Sequence, residues 1–136
     1  MASIIEAKKP LRLRRLWIAI GYLLIAFVVY SSLTPSPITI PVEHGDKYGH
    51  VLAYGTLMFW FAQLYAGSKP RVLWACVFVS MGIALEFLQQ LTDYRTFEIA
   101  DMIADACGVL IGWVAAPPRS PSLLEFIESR MLVQPA

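Results

Sequence analysis

Four apolar runs organise the chain: Leu16 to Leu33, Tyr48 to Ala66, Val72 to Leu91 and Ile99 to Ala116. Each approaches the ~20 residues that an α-helix needs to cross a hydrocarbon core of about 30 Å. Helix breakers fall between the runs: Thr34-Pro35-Ser36-Pro37 with Pro41, then Gly67-Ser68-Lys69-Pro70, then Thr92-Asp93, then Pro117-Pro118. The pattern predicts an all-α protein of four transmembrane helices in an antiparallel bundle. A basic segment (1–15) precedes the membrane domain (16–116), and a tail (117–136) follows it. In the tail, Ser122 to Glu125 has capping-box spacing and Leu123, Leu124, Ile127 and Met131 make a rough apolar stripe. A short helix on the inner membrane surface and a frayed end both fit.

Composition changes the picture in one respect. At 57% hydrophobic and 15% charged, the chain carries more apolar surface than a domain of this length hides from water, since soluble domains run near 45–50% and 25%. That excludes a soluble enzyme, a disulfide scaffold and a disordered chain. Membrane lipids are the expected surroundings, with no nucleic-acid partner. Cys76 and Cys107 lie inside apolar runs and read as small buried packing residues. The first run is long for a signal peptide and no A-x-A-like site follows it, so it is expected to stay in the chain.

Placement of charge says more than the net +1. Lys8, Lys9, Arg12, Arg14 and Arg15 precede the first span, Lys69 and Arg71 fill the second loop, and Arg119 and Arg130 follow the fourth. Only Lys47 and Arg95 lie in the other two loops. The positive-inside rule then puts both termini in the cytoplasm of a multi-pass protein of the cytoplasmic (inner) membrane. Aromatic residues agree: Trp17, Tyr65, Trp74 and Trp113 fall near one interface and Tyr30, Tyr48, Tyr94 and Phe97 near the other, with Trp60 left to pack inside a span.

The ionisable residues within the spans cost about 2.5–3.5 kcal/mol each near a bilayer centre, so their presence asks for a reason. All fall in the outer part. His50 and Tyr54 lie roughly 3 and 9 Å below the outer end of the second span, Glu86 roughly 7 Å below that of the third, and Asp101 and Asp105 roughly 3 and 9 Å below that of the fourth. Asp46, His50 and Tyr54 recur at four-residue steps, as do Gly82, Glu86 and Gln90; Asp101, Asp105, Gly108 and Gly112 share a face of the fourth helix. Gly108-x-x-x-Gly112 allows a backbone to approach closely, within the chain or from a second copy, so a homo-oligomer stays open. Asp46 also suits an N-cap of the second helix, and Tyr54 an interfacial aromatic.

From Asp46 to Gly112 these residues resemble the VanZ-like family of small integral membrane proteins. Asp46-Lys47-Tyr48-Gly49-His50 followed by Tyr54 looks like its D-K-x-x-H-x-x-x-Y, and Gly82-x-x-x-Glu86-x-x-Gln89 looks like its G-x-x-x-E-x-x-Q. Arg95 to Asp101, with Gly108 and Gly112 beyond, looks like its R-x-x-x-x-x-D-x-x-x-N-x-x-G-x-x-x-G. One position departs: Asp105 stands where that pattern usually has Asn. The family is named for a protein of a glycopeptide-resistance cluster associated with reduced susceptibility to teicoplanin, so the resemblance implies a role in the cell envelope.

The polar layer supports three readings. In the first, it binds or modifies a lipid-linked envelope substrate or a glycopeptide at the outer leaflet. His50, Glu86, Asp101 and Asp105 are then the catalytic candidates, and Asp46, Lys47, Tyr54, Gln89, Gln90 and Arg95 the substrate-binding ones. No Ser or Cys nucleophile accompanies them. The cofactor is open: Glu86 and Asp101 are candidates to hold a divalent metal ion or to orient the His50 imidazole, on a loose O and N signature. In the second, the residues only lock the bundle, Arg95 pairing with Asp101 and His50 with Glu86. In the third, the carboxylates serve an ion-coupled transporter subunit, although the inner halves of the spans carry no polar relay.

Overall fold

The computed structural model describes residues 10–132. Lys8, Lys9 and the end of the tail lie outside them. The described chain is all-α, with five helices: α1 (Arg14–Leu33), α2 (Gly45–Leu64), α3 (Ser68–Gln90), α4 (Ile99–Ala115) and α5 (Leu123–Met131). Two of them, α1 and α3, are long and apolar enough to cross a membrane. The charged residues at the start of α2 dilute its apolar character, and α4 has only 17 residues, about 26 Å at 1.5 Å per residue.

Side-chain and backbone contacts define the helix directions. Trp17 and Gly21 of α1 meet Trp60 and Phe61 of α2, so the start of α1 lies against the end of α2. Glu86 of α3 reaches Glu98, just before α4, while Gly82 lies against Asp105, so α3 and α4 are antiparallel. Between α2 and α4 the numbers rise together: His50 meets Asp105, Gly55 meets Gly108, and Gly55 and Phe59 border Gly112. These two helices are parallel and in backbone contact. A Cβ on Gly108 would stand 2.6 Å from the Val51 carbonyl oxygen and 3.0 Å from the Gly55 nitrogen. The small-residue face of α4 therefore packs within the chain.

An aromatic cluster holds the other end. Phe61 contacts Trp74 at 4.1 Å and Phe78 at 5.3 Å between ring centroids, and Trp60 donates its indole N–H to the Trp17 carbonyl at 2.9 Å. Arg71 is buried and donates to the carbonyls of Ala62 (2.6 Å) and Tyr65 (2.9 Å), satisfying orphan acceptors at the end of α2.

Of the two readings of the tail, the helix is the one found. Ser122 caps α5 by accepting from the Glu125 N–H, and Leu124 is fully buried beside Trp17 and Leu64. Glu128 then reaches the entry to α1. Its carboxylate accepts from the backbone N–H of Arg12 and of Leu13, both at 2.8 Å, and from the Trp17 indole at 2.7 Å. Burial alone would raise its carboxyl, but these donors outweigh it and hold the group below its ordinary value near 4.5.

Three expectations change. Helix α2 starts at Gly45, with His44 at the N-cap position in a left-handed conformation (φ 56°), so Asp46 is a first-turn residue and not the cap. Cys76 and Cys107 are exposed, because in a greasy bundle an apolar run faces outward as well as inward. Trp17 is buried under α5 and is no interfacial anchor.

Gly108→Ala forces a methyl against immovable backbone and should destabilise the bundle by about 1–3 kcal/mol, read as a lower melting temperature in detergent. Gly49→Ala, where nothing lies within 4 Å of the added carbon, should be neutral or stabilising by up to about 1 kcal/mol. Glu128→Gln removes a charged acceptor from three donors and should cost on the order of 1–3 kcal/mol at pH 7. Because the folded carboxyl titrates below the unfolded one, its contribution is present above the ordinary value and is lost as pH falls through the folded one. The gap in melting temperature between wild type and variant should therefore close in acid. A gap unchanged down to pH ~3 would exclude the carboxylate as its source.

Candidate polar site and cavity

The contact of α2 with α4 positions the site. Once Gly55 and Gly108 touch, the turns above them bring His50 to Asp105, His50 Nδ1 standing 2.8 Å from Asp105 Oδ1. One turn higher, His50 Nε2 lies 3.5 Å from Asp101 Oδ2. Asp105 and Glu86 are almost fully buried, at 2% and 1% exposure. Glu86 enters from α3, and its Oε2 accepts the backbone N–H of Glu98 at 3.0 Å. A ligand atom from each of His50, Glu86 and Asp101 falls within 4.8 Å of the other two.

Lys47 closes the top of the layer. Its ammonium stands 2.7 Å from Asp46, 2.5 Å from Glu98 and 2.5 Å from Asp101 Oδ1, the last contact lacking hydrogen-bond direction. Lys47 beside Asp46 holds that carboxyl below the usual range. Because α2 and α4 are parallel, their N-termini lie at one level, and the partial positive charge of both helix ends faces the acids.

The structure thus brings together Asp46, Lys47, His50, Glu86, Asp101 and Asp105. Tyr54 is buried within the bundle, one turn further along α2 than His50. Gln89 ties α3 to α1 by donating to the Ser32 carbonyl at 2.7 Å, and Tyr94 donates to Leu33 at 3.0 Å; both satisfy terminal carbonyls of α1. Gln90 is exposed and does not join the site. It lies about 80° around the helix from Gly82, and the buried arc runs through Gln89 instead. The expected pairs are also replaced: Lys47, not Arg95, is the base on Asp101, and His50 pairs with Asp105, not Glu86. Arg95 has no hydrogen bond or ion pair among the described residues.

Sequence reasoning passed over Glu98. It engages Lys47 with its side chain and Glu86 with its backbone N–H. The available signal was its place at the N-terminal boundary of the fourth apolar run, where an acid suits the helix end.

Beside this layer, a cavity of about 580 Å³ opens between α1 and α2. Leu24, Phe27 and Val28 form one wall, and Leu52 and Leu57 the other. The polar end presents His50, Asp101 and Arg95. The first turns of α1 meet α2 through Trp17, Gly21 and Tyr22, while its other end is drawn to α3 and the following loop by Gln89 and Tyr94, and the gap lies beside that second half. The arrangement suits an amphiphile, with an apolar body between the helices and an anionic head at Arg95 and His50.

No curated protein and no solved structure matches this chain. A family model does: VanZ/LLP1, over residues 5–123. The matched segment contains the whole polar layer and the glycine face that assembles it, and the chain belongs to the VanZ/LLP1 family.

Proposed function

We propose that the chain is a four-span protein of the cytoplasmic membrane with both termini inside, and that its outer cavity binds the anionic head of a lipid-linked envelope molecule or an acylated glycopeptide of the teicoplanin type. The cavity carries this reading: apolar walls lead to an arginine that no described residue pairs with, beside a histidine held by two carboxylates. Arg95 supplies a fork suited to phosphate or carboxylate. His50, oriented by Asp105, is placed to give or take a proton at the bound head. A lateral opening between α1 and α2 lets an acyl chain enter from the bilayer. Four alternating helices and the nine-to-two distribution of basic residues support the topology. Helix α2 covers about 30 Å and α4 slightly less, with their charged ends meeting headgroups.

The ion pairs between α2 and α4 favour a second reading, a purely structural lock. A transport route through one chain has less support, because Leu57, Met58, Phe61 and Phe78 fill the core below Tyr54.

The test expresses the full chain in a susceptible Gram-positive host. The expected result is several-fold protection against an acylated glycopeptide and none against one without an acyl chain. Arg95→Gln and His50→Gln should abolish the protection at unchanged membrane abundance. Protection by neither wild type nor variants overturns the envelope role, and full protection by both variants leaves only the structural lock. A reporter fused after Ala136 should be active only in the cytoplasm; activity outside overturns the topology.

A further inference from the structure

The hydrogen-bonding pattern around His50 carries a stronger statement than a binding pocket. Asp105 Oδ1 sits 2.8 Å from Nδ1, so in the neutral imidazole the proton lies on Nδ1, donated to Asp105, and the Nε2 lone pair points away. What Nε2 meets is Asp101 Oδ2 at 3.5 Å, an acceptor facing an acceptor. Glu86 supplies a third. It is 1% exposed, one oxygen takes the Glu98 N–H, and the other has no hydrogen-bond donor among the described residues. Three ligand atoms from three different helices lie within 4.8 Å of one another.

We infer that His50, Glu86 and Asp101 form a binding site for one divalent transition-metal ion of the Zn²⁺ type. Bonds of about 2.0–2.2 Å put ligand atoms roughly 3–3.5 Å apart, a closure within reach of side-chain adjustment from the observed separations. Three protein ligands leave a coordination position, and the adjoining cavity supplies the room for water or an anionic head there. Asp105 has the geometry of the carboxylate that orients a metal-bound histidine through its other nitrogen. A divalent charge also answers the local electrostatics. Lys47 is shared among Asp46, Glu98 and Asp101, which leaves buried Glu86 and Asp105 with no lysine or arginine on them among the described residues.

The same geometry rejects the neighbouring alternative. Asp46, Glu98 and Asp101 also cluster closely enough for an ion, but the Lys47 ammonium already occupies their centre. Lys47 takes Asp101 Oδ1 and leaves Oδ2 free for the metal. Protonation of Nε2 is the competing way to relieve the acceptor contact. It satisfies Asp101 at best and leaves the second oxygen of Glu86 unfilled, whereas one ion meets all three.

The inference adds a cation to the pocket proposed above, yet its test needs no amphiphile and no resistance phenotype, so either idea can fail alone. The sequence holds two histidines and two cysteines; His44→Gln, Cys76→Ser and Cys107→Ser together leave His50 as the last imidazole or thiol ligand. The full chain with these three exposed positions changed is purified in detergent, stripped with EDTA, dialysed against Zn²⁺ and assayed by mass spectrometry of the metal. Expected is one Zn²⁺ per chain, a melting temperature that rises with Zn²⁺ concentration, and a Co²⁺ form with d–d absorption in the visible. Glu86→Gln should lose the ion, Asp105→Asn should weaken it ~10–100-fold, and Arg95→Gln should retain it. A folded parent chain that keeps less than about a tenth of an equivalent and shows no Zn²⁺-dependent stabilisation overturns the site. So does equal retention by folded Glu86→Gln. If that variant does not fold, the stoichiometry, Co²⁺ spectrum and melting shift of the parent chain decide the question. Retention of Mg²⁺ or Ca²⁺ in place of Zn²⁺ also overturns the assignment, since a soft enough site must use the imidazole.

Discussion

The approach of α2 to α4 is the constraint on which the rest depends. Gly55, Gly108 and Gly112 bring two backbones into van der Waals contact, an approach that only residues without a side chain allow. It also sets a register. Because the helices are parallel, a turn gained on one is a turn gained on the other, and the pairs follow in order: His50 with Asp105, Lys47 with Asp101. Any side chain at Gly108 pushes against backbone, which cannot rotate away. The distance between the histidine and its carboxylates is thus governed from below, by residues that carry no chemistry.

Electrostatics explains why the acids tolerate one another. Two parallel helices present two N-terminal dipole ends to the same layer, and a loop N–H from Glu98 adds another donor to Glu86. Lys47 then spans three carboxylates drawn from the first turn of α2, the boundary of α4 and α4 itself. Its role is that of a clasp. An exposed loop lysine would contribute little, since solvent-facing ion pairs are worth about 0–1 kcal/mol; here the contact with the buried Asp101 ties helix ends that would otherwise repel.

Much of this was legible in the residue pattern. Four-residue spacing placed His50, Glu86, Asp101 and Asp105 on faces that do converge, and the depth arithmetic put them in one layer. The limits were physical. Periodicity gives a face to within a helical quadrant, so it could not separate Gln89 from Gln90. Pairing across helices depends on register, which no spacing within one helix encodes, so Lys47 could not be preferred to Arg95 as the partner of Asp101. Glu98 acts partly through its backbone, and a backbone donor has no sequence signature. Glu128 meets Arg12 and Leu13 across more than a hundred residues, where the tail offered only a local capping motif.

The two ends of α1 complete the argument. At one end, aromatic stacking and the Glu128 carboxylate fasten it to α2 and α5. At the other, Gln89 and Tyr94 take its last carbonyls and draw it toward α3. A helix held at both ends by different neighbours cannot close along the third, and the space left is the cavity between α1 and α2. Leu24, Phe27, Leu52 and Leu57 give that space an apolar stretch where dispersion contact is available, while Ser31, Ser32 and Thr56 with the charged end supply hydrogen-bonding groups. The polar layer and the greasy gap therefore have separate structural causes, glycine contact for one and divergent anchoring for the other.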